Sequence, residues 1–99
     1  MNKDGVRSLM RAVMNGRDVE IPPEAFMKIE DVLHGLKANE QRALTERFGL
    51  EDGIWRSMDE AGDRLGHTKQ WVSQLCARGI RRIRWHVWLG KLKGLVKGV

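Results

Sequence analysis

The sequence has a single cysteine, Cys76, which excludes an internal disulfide and any cysteine-rich zinc module. It has no apolar run approaching the roughly 18 residues that cross a bilayer. No signal-peptide core follows Met1-Asn2-Lys3-Asp4-Gly5, so a cytoplasmic protein is expected. His34, His67 and His86 are too widely spaced for a metal motif, and neither a phosphate-binding loop nor a paired-carboxylate site is identifiable. The expectation is therefore no enzyme, no metal and no cofactor. The most informative absence is of acid: Arg64 to Val99 contains no Asp or Glu.

The composition suits one small globular domain. Of 99 residues, 41% are hydrophobic and 31% charged, which speaks against disorder and collagen-like repeats. A chain of this length buries about 60–65% of its unfolded surface. The net charge of +5 is unevenly placed. All thirteen acidic residues lie between Asp4 and Asp63 with nine Lys/Arg, a net −4, and the remaining nine Lys/Arg give the second part +9. Such a split suggests a surface for a polyanion, with a solvated basic tail as the alternative.

Helical spacing dominates the chain. Val6, Leu9, Met10 and Val13 form one face of a short helix that Gly16 is placed to end. Pro22-Pro23 marks a turn, suited also to the first positions of a second helix. That helix carries Phe26, Ile29, Val32, Leu33 and Leu36. Asn39 is the expected cap of a third helix, which Gly49 terminates. Ser57 with Glu60 makes a capping box for a brief fourth helix from Met58 to Leu65, and Thr68 caps a fifth from Lys69. The expected fold is all-α, a compact bundle of about five helices containing a helix-turn-helix, with a C-terminal amphipathic helix.

Met58 to Leu75 meets the steric needs of a helix-turn-helix. Gly62 provides a small residue where two helices cross, and Gly66 a left-handed turn position. Val72 and Leu75 are spaced to pack against Ala61 and Leu65. A plain helical hairpin is the alternative reading. On the fifth helix, Leu75, Cys76, Gly79 and Ile83 cluster on the core side of a helical wheel. Gln70, Ser73, Gln74, Ala77 and Arg81 fall on the other side.

These residues also carry a family resemblance. Arg47-Phe48-Gly49-Leu50, Asp52-Gly53, Ser57-Met58-Asp59-Glu60-Ala61-Gly62, Thr68 to Leu75 and Gly79 to Arg84 follow one another with no large gap. From about Glu24 to Arg84 the chain resembles region 4, the promoter-recognition domain of the primary bacterial sigma factors. The resemblance implies a second motif helix in the major groove at the −35 promoter element, and a hydrophobic pocket for the flap tip of the RNA polymerase β subunit. It places Lys69, Gln70, Ser73 and Gln74 at groove-reading positions, with Trp71 at the groove edge. Gln74 suits adenine N6/N7, while Lys69, Arg78, Arg81, Arg82 and Arg84 suit phosphates.

The chain departs from the family pattern at four positions. Gln70 stands for an acidic residue, Ser73 and Trp71 for arginines, and His67 for a valine. An arginine–guanine contact is worth roughly 1–3 kcal/mol of discrimination, so its absence implies a changed or weakened sequence choice.

Beyond Arg84, the residues Trp85, Trp88, Leu89, Leu92, Leu95, Val96 and Val99 form an amphipathic stripe about 120° wide. An unbroken helix would place that stripe opposite the core. Three outcomes are open: a break near His86 to Gly90 with the tail folding over the first helix, binding to another protein, or contact with a membrane surface, the least favoured. The candidates for polymerase or partner contact are Phe48, Leu50, Trp85, Trp88, Leu89 and Leu92. The expected organisation is a helical extension over 1–20, the region 4-like domain over 21–84 and a basic tail over 85–99. The expected function is sequence-specific binding of double-stranded DNA together with RNA polymerase, as an activator, a phage or mobile-element regulator, or part of a split sigma. The alternative is a polymerase- or sigma-binding protein that inhibits or redirects transcription. A homodimer is compatible with either. One region 4-like domain fills the length, so a partner is expected to supply the remaining sigma functions.

Overall fold

Helix α1 (Lys3–Val13) begins where the Asn2 side chain accepts a hydrogen bond from the Gly5 N–H at 3.1 Å. In a computed structural model of the chain, residues 1–90 and Leu92 are described. Val6, Leu9, Met10 and Val13 are all buried, as their spacing requires. Asn15 and Gly16 then take left-handed backbone, with φ of 59° and 85°, and end the helix. A Cβ on Gly5 would overlap the Gly49 carbonyl, so only glycine lets α1 cross this closely.

Helix α2 (Ala25–His34) follows the proline pair, whose carbonyls accept from Ala25 N–H at 2.9 Å and Phe26 N–H at 3.3 Å. The prolines therefore make the entry turn and are not helical residues. Ile29 and Leu33 face the core, joined by Leu36 from just beyond the helix.

Helix α3 (Ala38–Phe48) starts one residue before the expected cap. Lys37 stands at the cap position and Asn39 lies inside the first turn. Lysine offers no acceptor, so the end is closed from the helix side: the Lys37 N–H donates to Glu40 Oε1 at 3.2 Å. Asn39 instead accepts from Arg42 Nη1 at 3.2 Å.

Helices α4 (Met58–Leu65) and α5 (Lys69–Trp88) form the helix-turn-helix. The Glu60 N–H donates to Ser57 Oγ at 3.1 Å, and the Ser57 N–H donates to Glu60 Oε1 at 3.3 Å, completing the capping box. Gly66 is left-handed at φ 72°, and the Trp71 N–H donates to Thr68 Oγ1 at 3.1 Å at the start of α5. Helix α5 is the spine of the bundle, in contact with α1, α2, α3 and α4. Gly79 permits the closest approach to α3, since a Cβ there would meet Leu44 Cδ1 at 2.7 Å.

The architecture is all-α. Helix α5 stops at Trp88, Gly90 turns left-handed at φ 92°, and Leu92 is fully buried in the same core as the α1 residues. Of the three outcomes open for this segment, the break near His86 to Gly90 is the one present. The stripe positions Leu95, Val96 and Val99 lie outside the described residues.

Candidate nucleic-acid interface

The exposed face of α5 gathers most of the residues that the sequence assigns to DNA. Lys69, Gln70, Ser73, Gln74, Ala77, Arg78 and Arg81 are exposed, while Val72, Cys76, Gly79 and Ile83 are buried behind them. Lys69, Gln70, Ser73 and Gln74 share an open concavity of about 530 Å³ with Ser57, Met58 and Asp59 of the α4 start. The helix crossing that sets this geometry depends on Gly62, where a Cβ would sit 2.6 Å from the His67 carbonyl oxygen.

Two of the basic residues have structural partners. Arg84 Nε donates to the Val13 carbonyl at 2.9 Å and Arg84 Nη2 to Asn15 Oδ1 at 3.2 Å, so its guanidinium holds α1 against α5. Arg82 lies 3.4 Å from the carboxylate of Glu40, which is buried on α3. A buried carboxylate needs such a partner. Lys69, Arg78 and Arg81 are thus the cations on the exposed face that these contacts leave available.

Trp71 is half-buried at the edge of that face. Its ring stacks on His67, with centroids 3.8 Å apart and planes 5° apart.

The six partner-contact candidates divide. Phe48, Leu50 and Leu92 are buried core residues and offer little surface to a partner. Leu50 is covered because the chain enters α1 beside it, where the Asn2 N–H donates to the Leu50 carbonyl at 2.6 Å. Trp85, Trp88 and Leu89 are exposed, at 54%, 81% and 57%. Trp85 and Trp88 line a cavity of about 580 Å³ with Gly35, Leu36, Arg81, Arg82, Arg84 and His86.

An ion network behind α4 is absent from the sequence reading. Arg56, nearly buried, pairs with Asp52 at 2.6 Å and approaches Glu46 at 3.6 Å, and Glu46 also meets Arg64 at 2.5 Å. The Arg56 hydrogen bond, aided by the Ile54 N–H, holds the Asp52 carboxyl below its usual range. The network ties the 51–57 loop to α3 and α4, and so fixes the start of the helix-turn-helix. Arg47 covers Trp55 at 4.2 Å from the same side. The four-residue spacing of Asp52 and Arg56 in a Gly-containing turn is a faint signal, and nothing local identifies Glu46 as a third member.

Burial pushes the Cys76 thiol up to about 11, which leaves it an unreactive core residue at neutral pH. Among the described residues, no group of three or more His, Cys, Asp or Glu is arranged to hold a metal, and no helix is long and apolar enough to cross a membrane.

Comparison with known proteins agrees with this geometry. Residues 32–84, more than half of the chain, match the family described as Sigma-70, region 4. The chain is also similar to the RNA polymerase sigma factor SigA of a Bacillus species, 39% identical over 57 residues. That match takes in 58% of this chain and 15% of the sigma factor. No solved structure is a significant match. The family is a DNA-binding, non-enzymatic domain. With its helix-turn-helix, its acid-free stretch from Arg64 onward and more than half of its length matched, the chain belongs to the sigma-70 region 4 family.

Proposed function

We infer that this protein binds duplex DNA through the exposed face of α5 and acts with bacterial RNA polymerase in transcription. The observation that carries the reading is the coexposure of Lys69, Gln70, Ser73, Gln74, Arg78 and Arg81 on the second helix of a region 4 helix-turn-helix. A carboxamide at Gln74 suits the N6/N7 edge of adenine, and Ser73 accepts or donates to either base. Lys69, Arg78 and Arg81 neutralise phosphates, which sets register and affinity but not sequence. Arg82 joins them only by sharing its charge with Glu40. The test is a mobility shift on a sequence selected from random duplexes. Gln74→Ala combined with Arg81→Ala is expected to abolish the selected shift without unfolding the protein. Full retention of sequence-selective binding would refute the assignment of this face.

A second contact, with polymerase itself, is favoured by one specific observation. Trp85 and Trp88 expose apolar surface beside three arginines, with Leu89 also exposed, and such a patch on a small domain suits a protein interface. On this reading the partner is the polymerase β flap or a sigma subunit, and the protein activates, redirects or inhibits by holding polymerase near its DNA site. Retention of core polymerase or of the isolated flap on immobilised protein tests it. Loss of retention on Trp88→Ser is the expected result. Undiminished retention, or self-association through the same patch, would refute it.

A further inference from the structure

The region 4 reading puts Trp71 at the groove edge but gives its stack with His67 no role. Both residues are placed by backbone geometry before any ligand arrives. The His67 N–H donates to the Gly62 carbonyl at 2.9 Å across the left-handed Gly66 turn. The Trp71 N–H is fixed by Thr68 Oγ1. Trp71 packs partly against the core, whereas His67 is exposed and lays a second ring on the outside of the turn. Core packing therefore accounts for part of Trp71 and for none of the His67 stack.

The position of Trp71 on α5 suggests what the stack serves. Trp71, Gln74 and Arg78 stand at i, i+3 and i+7, one row along the flank of the exposed face. Gln74 is the adenine-reading candidate and Arg78 a phosphate contact. The partner of an adenine is a thymine, whose C5-methyl is the one apolar group on the major-groove edge. An indole held in a fixed plane next to an adenine-reading amide offers that methyl an apolar contact at little entropic cost. The neighbouring reading positions, Gln70, Ser73 and Gln74, include no arginine for bidentate guanine recognition.

We propose that Trp71, held in plane by His67, is a specificity-determining residue that selects A·T pairs by contacting a thymine methyl group beside the Gln74 site. The proposal rests on the DNA-binding reading above and deepens it. The alternative contact, with deoxyribose and phosphate along the groove wall, would be indifferent to sequence.

The experiment replaces each thymine of the selected duplex, one at a time, with deoxyuridine, which removes only the C5-methyl. For the unaltered full chain, affinity is expected to fall about fourfold at one or two positions, the worth of one buried methylene-sized group. Trp71→Ala is expected to remove that sensitivity, and Met27→Ala, at an exposed position on α2, to keep it. His67→Ala, at an exposed position, should reduce the sensitivity with the fold intact, and this arm stands even where Trp71→Ala fails to fold. A selected site indifferent to every deoxyuridine, or a Trp71→Ala protein weakened equally on selected and random duplexes, overturns the role of Trp71 and leaves DNA recognition standing. Selection of no sequence at all overturns DNA recognition itself, and the inference with it.

Discussion

Arg84 Nε donates to the Val13 carbonyl at 2.9 Å, joining residues 71 apart in the chain. The same guanidinium reaches Asn15 Oδ1, so it closes the C-terminal end of α1 onto α5. Orphan carbonyls at a helix end need such a donor. Helix α1 lies outside the region 4 match, and this bond with the Gly5–Gly49 approach makes it part of the bundle.

Removing that donor should loosen α1 more than the N-terminal part of α5. Arg84→Met is expected to lower stability by about 1 kcal/mol, a typical hydrogen-bond contribution. Amide exchange should rise in residues 3–16 and stay unchanged in 69–76. Uniform acceleration throughout the chain would contradict the local role of Arg84.

Gly62→Ala places a methyl 2.6 Å from the His67 carbonyl oxygen and 3.3 Å from the Thr68 carbonyl carbon. Both are backbone atoms of the turn, so relief requires α4 and α5 to separate. A loss of about 1–3 kcal/mol is expected in urea unfolding, typical of overpacking. An unchanged midpoint would show that the crossing is looser than described.

Acid should weaken the loop that leads into the helix-turn-helix. The folded-state pKa of Asp52 is lowered below its ordinary 3.8, chiefly by the hydrogen bond from Arg56. Its stabilising contribution is therefore fully present above the ordinary carboxylate value and disappears as pH falls through the lowered one. Asp52→Asn is expected to melt below the unaltered protein at neutral pH, with the gap closing on acidification below 3.8. A gap that widened in acid would have the wrong sign.

Trp88 is 81% exposed, and a substitution there touches little of the fold. Trp88→Ser is expected to change unfolding free energy by less than about 0.5 kcal/mol. Paired with the polymerase-retention assay, this separates loss of a docking surface from loss of structure. A marked fall in stability would instead assign Trp88 a place in the core.

The legible parts of the fold were those written in local chemistry. The α1 face, the Ser57 and Thr68 caps and the left-handed Gly49 and Gly66 each depend on residues a few positions apart. The exposed face of α5 followed from helical spacing for the same reason. Asn39 misled because a glutamate inside the helix closed the α3 end that a cap residue usually closes. The structural partners of Arg82 and Arg84, namely Glu40, Val13 and Asn15, are not legible because they are remote in sequence. Leu50 looked available because nothing near it reveals that the start of α1 crosses there.

The most direct test of the account is the salt dependence of binding to a selected duplex. On the proposed reading, phosphate contacts by Lys69, Arg78 and Arg81 would release counterions, giving a slope of log affinity against log salt of about −3 or steeper. Lys69→Ala, Arg78→Ala and Arg81→Ala should each make it shallower by about one unit. A selected sequence with that slope, reduced stepwise by the three substitutions, is the expected result. Binding that selects no sequence and ignores salt would contradict the claim that α5 reads DNA.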